Sequence, residues 1–181
     1  RSLGETADLF QYKVTYQEHY NMLPMFCEQK TTISLSSDGV VQLPPITVKR
    51  VVSKISYNLT AKPADMELKS VQLISIPRTA VVFAPDGTAA DNPDDYTDSP
   101  ETTLTGQRAA GSYYMLPNRQ GVNTSITDQK QKNADNAPAC ASWLLIRATR
   151  GSKVLAYSVY LGENNTSDFN VRANCHYRLN I

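Results

Sequence analysis

Residues 153–181, KVLAYSVYLGENNTSDFNVRANCHYRLNI, carry the clearest strand pattern in the chain. Apolar and polar side chains alternate in two runs, which is the period of a half-buried β-strand. The apolar face of the first run comprises Leu155, Tyr157, Val159 and Leu161. The second run places Cys175, Tyr177, Leu179 and Ile181 on one face and His176, Arg178 and Asn180 on the other. Turn formers fill residues 162–168 between them. The stretch therefore predicts either a long antiparallel hairpin or two strands joined by a crossover loop.

Working outward, the same alternation predicts further strands. They are expected at residues 10–16, at 31–36 with a turn at Asp38 and Gly39 into Val40 and Val41, in a long central run after Ile46 with Val51, Ile55, Tyr57 and Leu59 facing the core, at 66–76, and at 143–148. In the run at 66–76, Leu68 and Val71 are three residues apart, so a bulge must lie between them if both face the core. Pro77 is expected to close this strand.

Two polar stretches interrupt the strands. Residues 85–100 contain five aspartates and no basic residue, and residues 118–138 are rich in Gln, Asn, Asp and Lys. Both are predicted to be long surface loops. Short strands separated by proline and glycine, without helical periodicity, predict an all-β fold, an antiparallel β-sandwich with long surface loops. We assign residues 45–181 to the sandwich, and residues 1–44 to N-terminal strands of either the same sandwich or a preceding domain.

Composition narrows the function. The 181 residues carry a net charge of +1, and no run of Lys and Arg would bind phosphates, so nucleic acid is not an expected partner. No apolar run approaches the roughly 20 residues of a membrane helix, so the chain is not expected to span a membrane. Residue 1 is not followed by the regions of a signal peptide.

Residues capable of chemistry are few and scattered. His19 and His176 fall on polar strand faces, where solvated histidines are expected, and none of the common catalytic motifs is present. The aspartates at 86, 91, 94, 95 and 98 favour a solvated acidic loop over a calcium site because their spacing does not match a calcium-binding loop. The sequence predicts no enzyme, no catalytic residue, no cofactor and no metal.

Two questions stay open at this stage. Cys27, Cys140 and Cys175 are either small buried hydrophobes or, for Cys140 and Cys175, a disulfide in an oxidising compartment. The aromatic residues Tyr113, Tyr114, Tyr160 and Trp143 provide flat faces that suit a sugar. Among them Trp143 is interpreted as a core residue and Tyr160 as the better surface candidate.

Three segments resemble the fimbrillin-type pilus subunits of the Bacteroidales. The closing segment of residues 160–177 is similar to the end of these proteins, and residues 113–121, YYMLPNRQG, resemble their "YYMPENxxG" loop. Residues 48–55, VKRVVSKI, are similar to their "LKRxVAKI" strand, with Ser53 in place of alanine. The resemblance spans roughly residues 22–181.

The resemblance implies a transthyretin-like β-sandwich that acts as a structural or adhesive subunit of a cell-surface fimbrium. Such subunits are exported, associate with the outer membrane, lose an N-terminal strand to an arginine-specific protease and assemble when another subunit's strand completes a sheet edge. We do not assign the cleavage to Arg50, which is predicted to lie inside a strong strand. A surface glycan or host protein is a further candidate partner, and the alternative function is a carbohydrate- or other ligand-binding β-sandwich at the cell surface.

Overall fold

The computed structural model describes residues 11–27, 39, 41, 43–87 and 89–181. Within these ranges the chain forms the strands β1 (Lys13–Thr15), β2 (Met25–Phe26), β3 (Lys49–Arg50), β4 (Ser53–Thr60), β5 (Met66–Ile74), β6 (Ile76–Pro77), β7 (Thr79–Val81), β8 (Tyr96–Thr97), β9 (Thr102–Thr103), β10 (Arg108–Met115), β11 (Asn118–Val122), β12 (Trp143–Arg150), β13 (Lys153–Tyr160), β14 (Asp168–Val171) and β15 (His176–Asn180). Two 3-10 helices, Pro93–Asp95 and Gln129–Gln131, are the helical segments of this described part. Neither they nor any other described segment forms a helix that could cross a bilayer.

Two sheets face each other. The front sheet has the strand order β10-β4-β15, and the back sheet has the order β13-β12-β5-β9. Their facing side chains form one apolar core, comprising Ile55, Tyr57, Leu59, Leu68, Val71, Leu73, Met115, Leu144, Ile146 and Ala148 among others. The all-β sandwich predicted from the sequence is confirmed.

The central strand predicted after Ile46 is confirmed as β4. Its inward side chains are buried and its outward ones are not, as the period-two pattern requires. The strand begins at Ser53, and Val51 and Val52 before it are both buried in a second cluster. The preceding residues 43–48 are exposed and form no strand, because Pro44 and Pro45 lack the amide donors that pairing needs.

The predicted bulge in the strand after Met66 is also confirmed. The register of β5 against β12 shifts between Arg147 and Ala148, so that Leu68 and Val71 both point into the core. Pro77 is the last residue of β6, but β5 has already ended at Ile74, and Ile76 and Pro77 pair with β8 instead of continuing the back sheet. Ser75 has a φ of 60° and turns the chain from the back sheet into this pair.

The hairpin alternative for residues 153–181 is wrong, and the crossover alternative is correct. β13 pairs with β12 in the back sheet, whereas β15 pairs with β4 in the front sheet, and in parallel. Between them the chain adds β14, which pairs with β11 outside both sheets. A parallel partner requires a crossover connection, which residues 161–175 provide.

Both predicted surface loops are partly ordered structure, so those predictions are wrong in part. Residues 85–100 include β8, and Tyr96 and Ser99 within them are buried. The Ser99 hydroxyl accepts a hydrogen bond from the Leu73 amide at 2.9 Å. Residues 118–138 include β11, with Asn118 fully buried. Polar composition hid these contacts because the buried groups are hydrogen-bonded polar side chains rather than apolar ones.

The N-terminal residues 11–27 pack on the rest of the chain. β1 pairs with β7 and β2 with β3, and Val14, Tyr16 and Phe26 contact the cluster around Val52. The first strand is shorter than predicted, with Tyr12 62% exposed. The predicted strand at 31–36 and its turn into Val41 lie largely outside the described residues. The domain boundary at residue 44 stays a prediction.

Candidate functional site: a groove between two edge strands

The two sheets are left open along one side, where each ends in an exposed edge strand. β13 has one partner, β12, and β15 has one partner, β4. Backbone groups on the outer edge of such strands are free to pair with another chain. The space between β13 and β15 is called the groove here.

The inward face of β13 is incompletely covered. Leu155, Tyr157 and Val159 point toward the front sheet, because their partners on β12 are the core residues Ala148, Ile146 and Leu144. Yet Tyr157 is 43% exposed, and Leu155 and Val159 are half-buried. Among the described residues, no strand of the front sheet lies beyond β15 to cover them. The inward face of β13 is therefore a partly exposed apolar surface.

The groove has a volume of about 860 Å³. One wall is formed by residues 158–162 of β13 and the turn after it, and the other by residues 175–181. From the β15 wall, Tyr177 and Leu179 pack partly against the core. The predicted orientation of β15 is therefore correct for these two residues, but Cys175 and Ile181 on the same face are exposed rather than buried.

The opposite side of the sandwich is closed. There the Tyr113 hydroxyl of β10 donates to the Val71 carbonyl of β5 at 3.1 Å and contacts the Thr102 hydroxyl of β9 at 3.1 Å. The Tyr113 and Tyr57 rings are in contact, with centroids 5.8 Å apart. These contacts join the two sheets on the β10 side.

A tight loop, residues 162–168, forms the end of the groove. The Asn164 side-chain oxygen accepts from the amides of Thr166 and Asp168, each at 3.0 Å. The Asp168 carboxylate accepts from the amides of Glu163 at 2.9 Å and Asn170 at 2.8 Å. Gly162 fits only without a side chain, because a Cβ there would lie 1.8 Å from the Asp168 carbonyl oxygen. The predicted turn is confirmed, and its Asn and Asp residues form it through their own backbone.

Lys132 anchors this loop from outside. Its ammonium donates to the Asn164 carbonyl at 2.7 Å and lies 5.1 Å from the centre of the Phe169 ring. Burial lowers the pKa of Lys132 to about 8, although the negative charge of Asp168 acts in the opposite direction. For Asp168, burial alone would raise the pKa. The amides of Glu163 and Asn170, the Asn170 side chain and Lys132 together hold the pKa below its ordinary value.

A buried polar network connects this loop to the segment 118–121. The Asn170 side chain accepts from the Gly121 amide at 2.9 Å and donates to the Asp168 carboxylate at 2.8 Å. Asn118 donates to the Cys140 carbonyl and to the Ser142 hydroxyl, both at 2.8 Å. The sequence pattern did not indicate this role, and Asn118 and Asn170 stood out only because they lie in segments that resemble fimbrillins. Several Asn and Asp residues concentrated near two motif segments were the available signal.

The histidines lie where the sequence predicts, at the surface. His19 is exposed beside Glu18, and His176 is exposed with a ring nitrogen 2.8 Å from the Ser56 hydroxyl. Burial of part of its ring and the charges of Arg178 and Lys54 lower the pKa of His176. The Ser56 hydroxyl is the one side-chain hydroxyl that a described contact places beside either histidine, and no described carboxylate hydrogen-bonds the other nitrogen of the His176 ring.

The three cysteines are free thiols, so the disulfide alternative between Cys140 and Cys175 is not realised. Cys140 is buried and its thiol donates to the Asp91 carbonyl at 3.6 Å. Burial raises the pKa of Cys140. Cys175 is exposed, contrary to the buried-thiol prediction, because it precedes β15 at the end of the open groove.

The aromatic residues do not form one platform. Trp143 and Tyr160 stack with centroids 5.9 Å apart, and Tyr160 in turn contacts the buried Phe169 edge-on. Trp143 is half-buried rather than a core residue, and Tyr160 is half-buried rather than a free surface residue. Tyr113 and Tyr114 lie on β10 in the other sheet. The four residues are therefore divided between two sheets.

The acidic segment, residues 85–100, holds its aspartates apart, and Arg50 lies at the surface. Among the described residues, no three His, Cys, Asp or Glu side chains come together as a metal site. Asp86 accepts a hydrogen bond from the Ala173 amide at 2.8 Å. Arg50 is exposed in the two-residue strand β3, so the expectation of an inaccessible Arg50 inside a strong strand is wrong. Val51, the next residue, is buried in the second cluster, so the apolar residues before β4 suggested a longer strand than the one that forms.

Comparison with known proteins agrees with this architecture. Residues 113–181 match a family described as a domain of unknown function, DUF4906. No curated protein matches the sequence. Among solved structures, the tip fimbrial protein Mfa3 from Porphyromonas gingivalis, with a C-terminal truncation, is similar with a TM-score of 0.52 and 18% identity, covering 84% of this chain and 55% of that one.

This likeness confirms the resemblance at the level of the fold, a fimbrillin-like β-sandwich. The chain spans about half the length of the fimbrial protein that it matches.

Proposed function

We propose that this chain is a structural subunit of a cell-surface fimbrium, and that the groove between β13 and β15 receives a β-strand from another subunit. The observation that carries the proposal is the partly uncovered inward face of β13, Leu155, Tyr157 and Val159, opposite β15, whose outer edge has no partner strand among the described residues. An inserted strand pairing with β15 would extend the front sheet and cover these side chains. Strand addition supplies backbone hydrogen bonds along an edge and specificity through alternate side chains.

The similarity in fold to a fimbrial tip protein supports this assignment, as does the closing segment of residues 160–177, which borders the groove. The proposed role is non-covalent assembly rather than catalysis, and its place is the outside of the cell, at the fimbrium. In this proposal the partners are other fimbrial subunits.

The test is stabilisation by a strand peptide. Peptides copied from the terminal strands of subunits encoded beside this chain are added while thermal unfolding is followed. A peptide that enters the groove raises the unfolding midpoint as the peptide concentration increases. At a hundredfold excess over its dissociation constant, the peptide adds about 2.7 kcal/mol to the free energy of unfolding. The matched control is the same peptide with a central proline, which cannot donate to the ladder.

A pair of variants localises the binding. Tyr157→Glu places a charge on the inward face of β13 and should abolish the peptide effect, whereas Ser158→Glu places the same charge on the outward face and should preserve it. If no terminal-strand peptide shifts the midpoint, or if the proline peptide acts equally well, the groove is not a strand acceptor.

A further inference from the structure

The outer face of the front sheet gathers positive charge that is dispersed in the sequence. On all three strands, side chains that point into the core alternate with side chains that point outward. The outward side chains are Lys54, Ser56, Asn58 and Thr60 of β4, Arg108, Ala110, Ser112 and Tyr114 of β10, and His176, Arg178 and Asn180 of β15. We call this surface the basic face.

The described strand residues that make up the basic face include cations and no carboxylate. None of the ion pairs found among the described residues involves Lys54, Arg108 or Arg178. The lowered pKa of His176 reports the same field, since after burial its causes are the charges of Arg178 and Lys54. Unpaired cations on a common surface attract an anionic partner.

The neutral side chains of the basic face are small and polar. The Asn58 amide donates to Asn180 at 3.1 Å, and the Ser56 hydroxyl lies 2.8 Å from His176. Pairs across neighbouring strands repeat about every 4.8 Å across the sheet and about 6.8 Å along it. The result is a surface of hydroxyl and amide groups, in which Tyr114 is the one aromatic ring among the described strand residues, 5.9 Å from the Lys54 ammonium and packed in part against the cluster around Val52.

We propose that the basic face binds an anionic polysaccharide. A protein partner is disfavoured because interface cores are built from apolar and aromatic side chains, and this face offers only Ala110 and Tyr114. A single-stranded nucleic acid is disfavoured because its bases need several stacking rings. Sugar hydroxyls match the serine and asparagine side chains, and sulfate or carboxylate groups match the cations.

The basic face adjoins the groove at β15, whose residues 175–181 also form one groove wall, but the two surfaces would take their ligands in different ways. A strand added beside β15 lies in the plane of the front sheet and leaves its outer face exposed. Polysaccharide binding and strand acceptance can therefore succeed or fail separately, and each has its own assay.

Dextran sulfate and neutral dextran are suitable probes because they share a backbone and differ in charge. Dextran sulfate is expected to bind, with an affinity that falls steeply as NaCl rises from about 0.05 M to about 0.5 M, and neutral dextran is not. Lys54→Gln combined with Arg178→Gln should weaken binding at least tenfold. The matched control, Lys69→Gln with Arg150→Gln, removes two charges from the other sheet and should change binding less than twofold.

Circular dichroism and the unfolding midpoint verify that both double variants are folded. The proposal is overturned if dextran sulfate does not bind, if the two double variants lose affinity equally, or if a single-stranded oligonucleotide binds through Lys54 and Arg178 more tightly than dextran sulfate. It is also overturned if the protein self-associates through these residues instead. In that case the segment 79–107, which contains acidic residues and no Lys or Arg, would be the surface of a second copy that the basic face contacts.

Discussion

Single residues at the end of the groove hold a loop whose side chains replace regular pairing. Asn164 and Asp168 accept backbone amides that no strand partner satisfies, and Gly162 allows the chain to pass against the Asp168 carbonyl. Each of these contacts joins residues that are close in the sequence, and the loop forms one end of the groove. Substitutions here should therefore affect stability in ways that composition does not suggest.

Gly162→Ala should be strongly destabilising, by about 3 kcal/mol, because the new Cβ would overlap backbone that cannot move without breaking the loop. The matched control is Gly151→Ala, where a Cβ meets open space and the cost is about 1 kcal/mol for an alanine at a φ of 57°. Urea denaturation of both variants measures the difference. Equal losses would show that the approach of Gly162 to Asp168 is not a constraint.

Asp168 should make the protein acid-sensitive. Because its folded pKa lies below the ordinary value of 3.8, its contribution to stability is present above that value and is lost as pH falls below it through the folded pKa. The free energy of unfolding of the wild type should therefore fall below about pH 4 more steeply than that of Asp168→Asn. Asp91→Asn, at an exposed position, should retain the wild-type profile. Parallel profiles for all three proteins would contradict this role.

At the scale of elements, β15 shows how a parallel edge strand is anchored. Leu179→Ala should cost about 1.5 kcal/mol because its side chain is half-buried against the core. Arg178→Ala on the exposed face should stay within about 0.5 kcal/mol. Denaturant midpoints of the two variants give the order. A larger loss at Arg178 would mean that the register of β15 is shifted by one residue.

The segment containing β8 is a second element whose importance the composition hid. The Tyr96 hydroxyl donates to the Ala90 carbonyl at 2.6 Å and accepts from Gln120 at 2.9 Å, and its ring is buried. Tyr96→Ala should cost about 3 kcal/mol, as for other buried aromatic residues. Asp91→Ala, in the exposed part of the same segment, should change stability by less than about 0.5 kcal/mol. If neither substitution changes the thermal unfolding midpoint, the segment behaves as the surface loop that its composition predicts.

At the scale of the whole molecule, the sandwich is assembled from strands that are distant in sequence. The front sheet joins β4 to β15 across more than a hundred residues, and the residues that β5 pairs with on β12 are 69 to 84 positions away in the sequence. Non-local pairing requires loop closure before contacts form, which slows folding.

We therefore expect refolding from urea to take milliseconds to seconds rather than microseconds, as for other β-sandwiches. Stopped-flow fluorescence of Trp143 should report it, since this residue lies in β12 against Tyr160. Completion of refolding within the dead time of the mixer would contradict the importance of the long-range pairs.

Local pattern predicted the strands well where one face meets the core. β4, β5 with its bulge, and β12 were found because apolar alternation is a local consequence of burial on one face. The pattern failed at Tyr96 and Asn118, where buried positions carry polar atoms satisfied by hydrogen bonds from distant residues. It also failed at Arg50, because apolar residues before β4 belong to a different cluster.

The local pattern was enough to predict β4, β5, β12, β13 and β15, the turn at residues 162–168 and the resemblance to fimbrillins, since each depends on neighbouring residues, whereas β10 was not predicted. Only the tertiary structure decided that β13 and β15 lie in different sheets with an open groove between them, and that Lys54, Arg108 and Arg178 share one face. Strand order and shared faces depend on which distant strands pair. The free energy that selects a pairing comes from long-range burial, which no local period encodes.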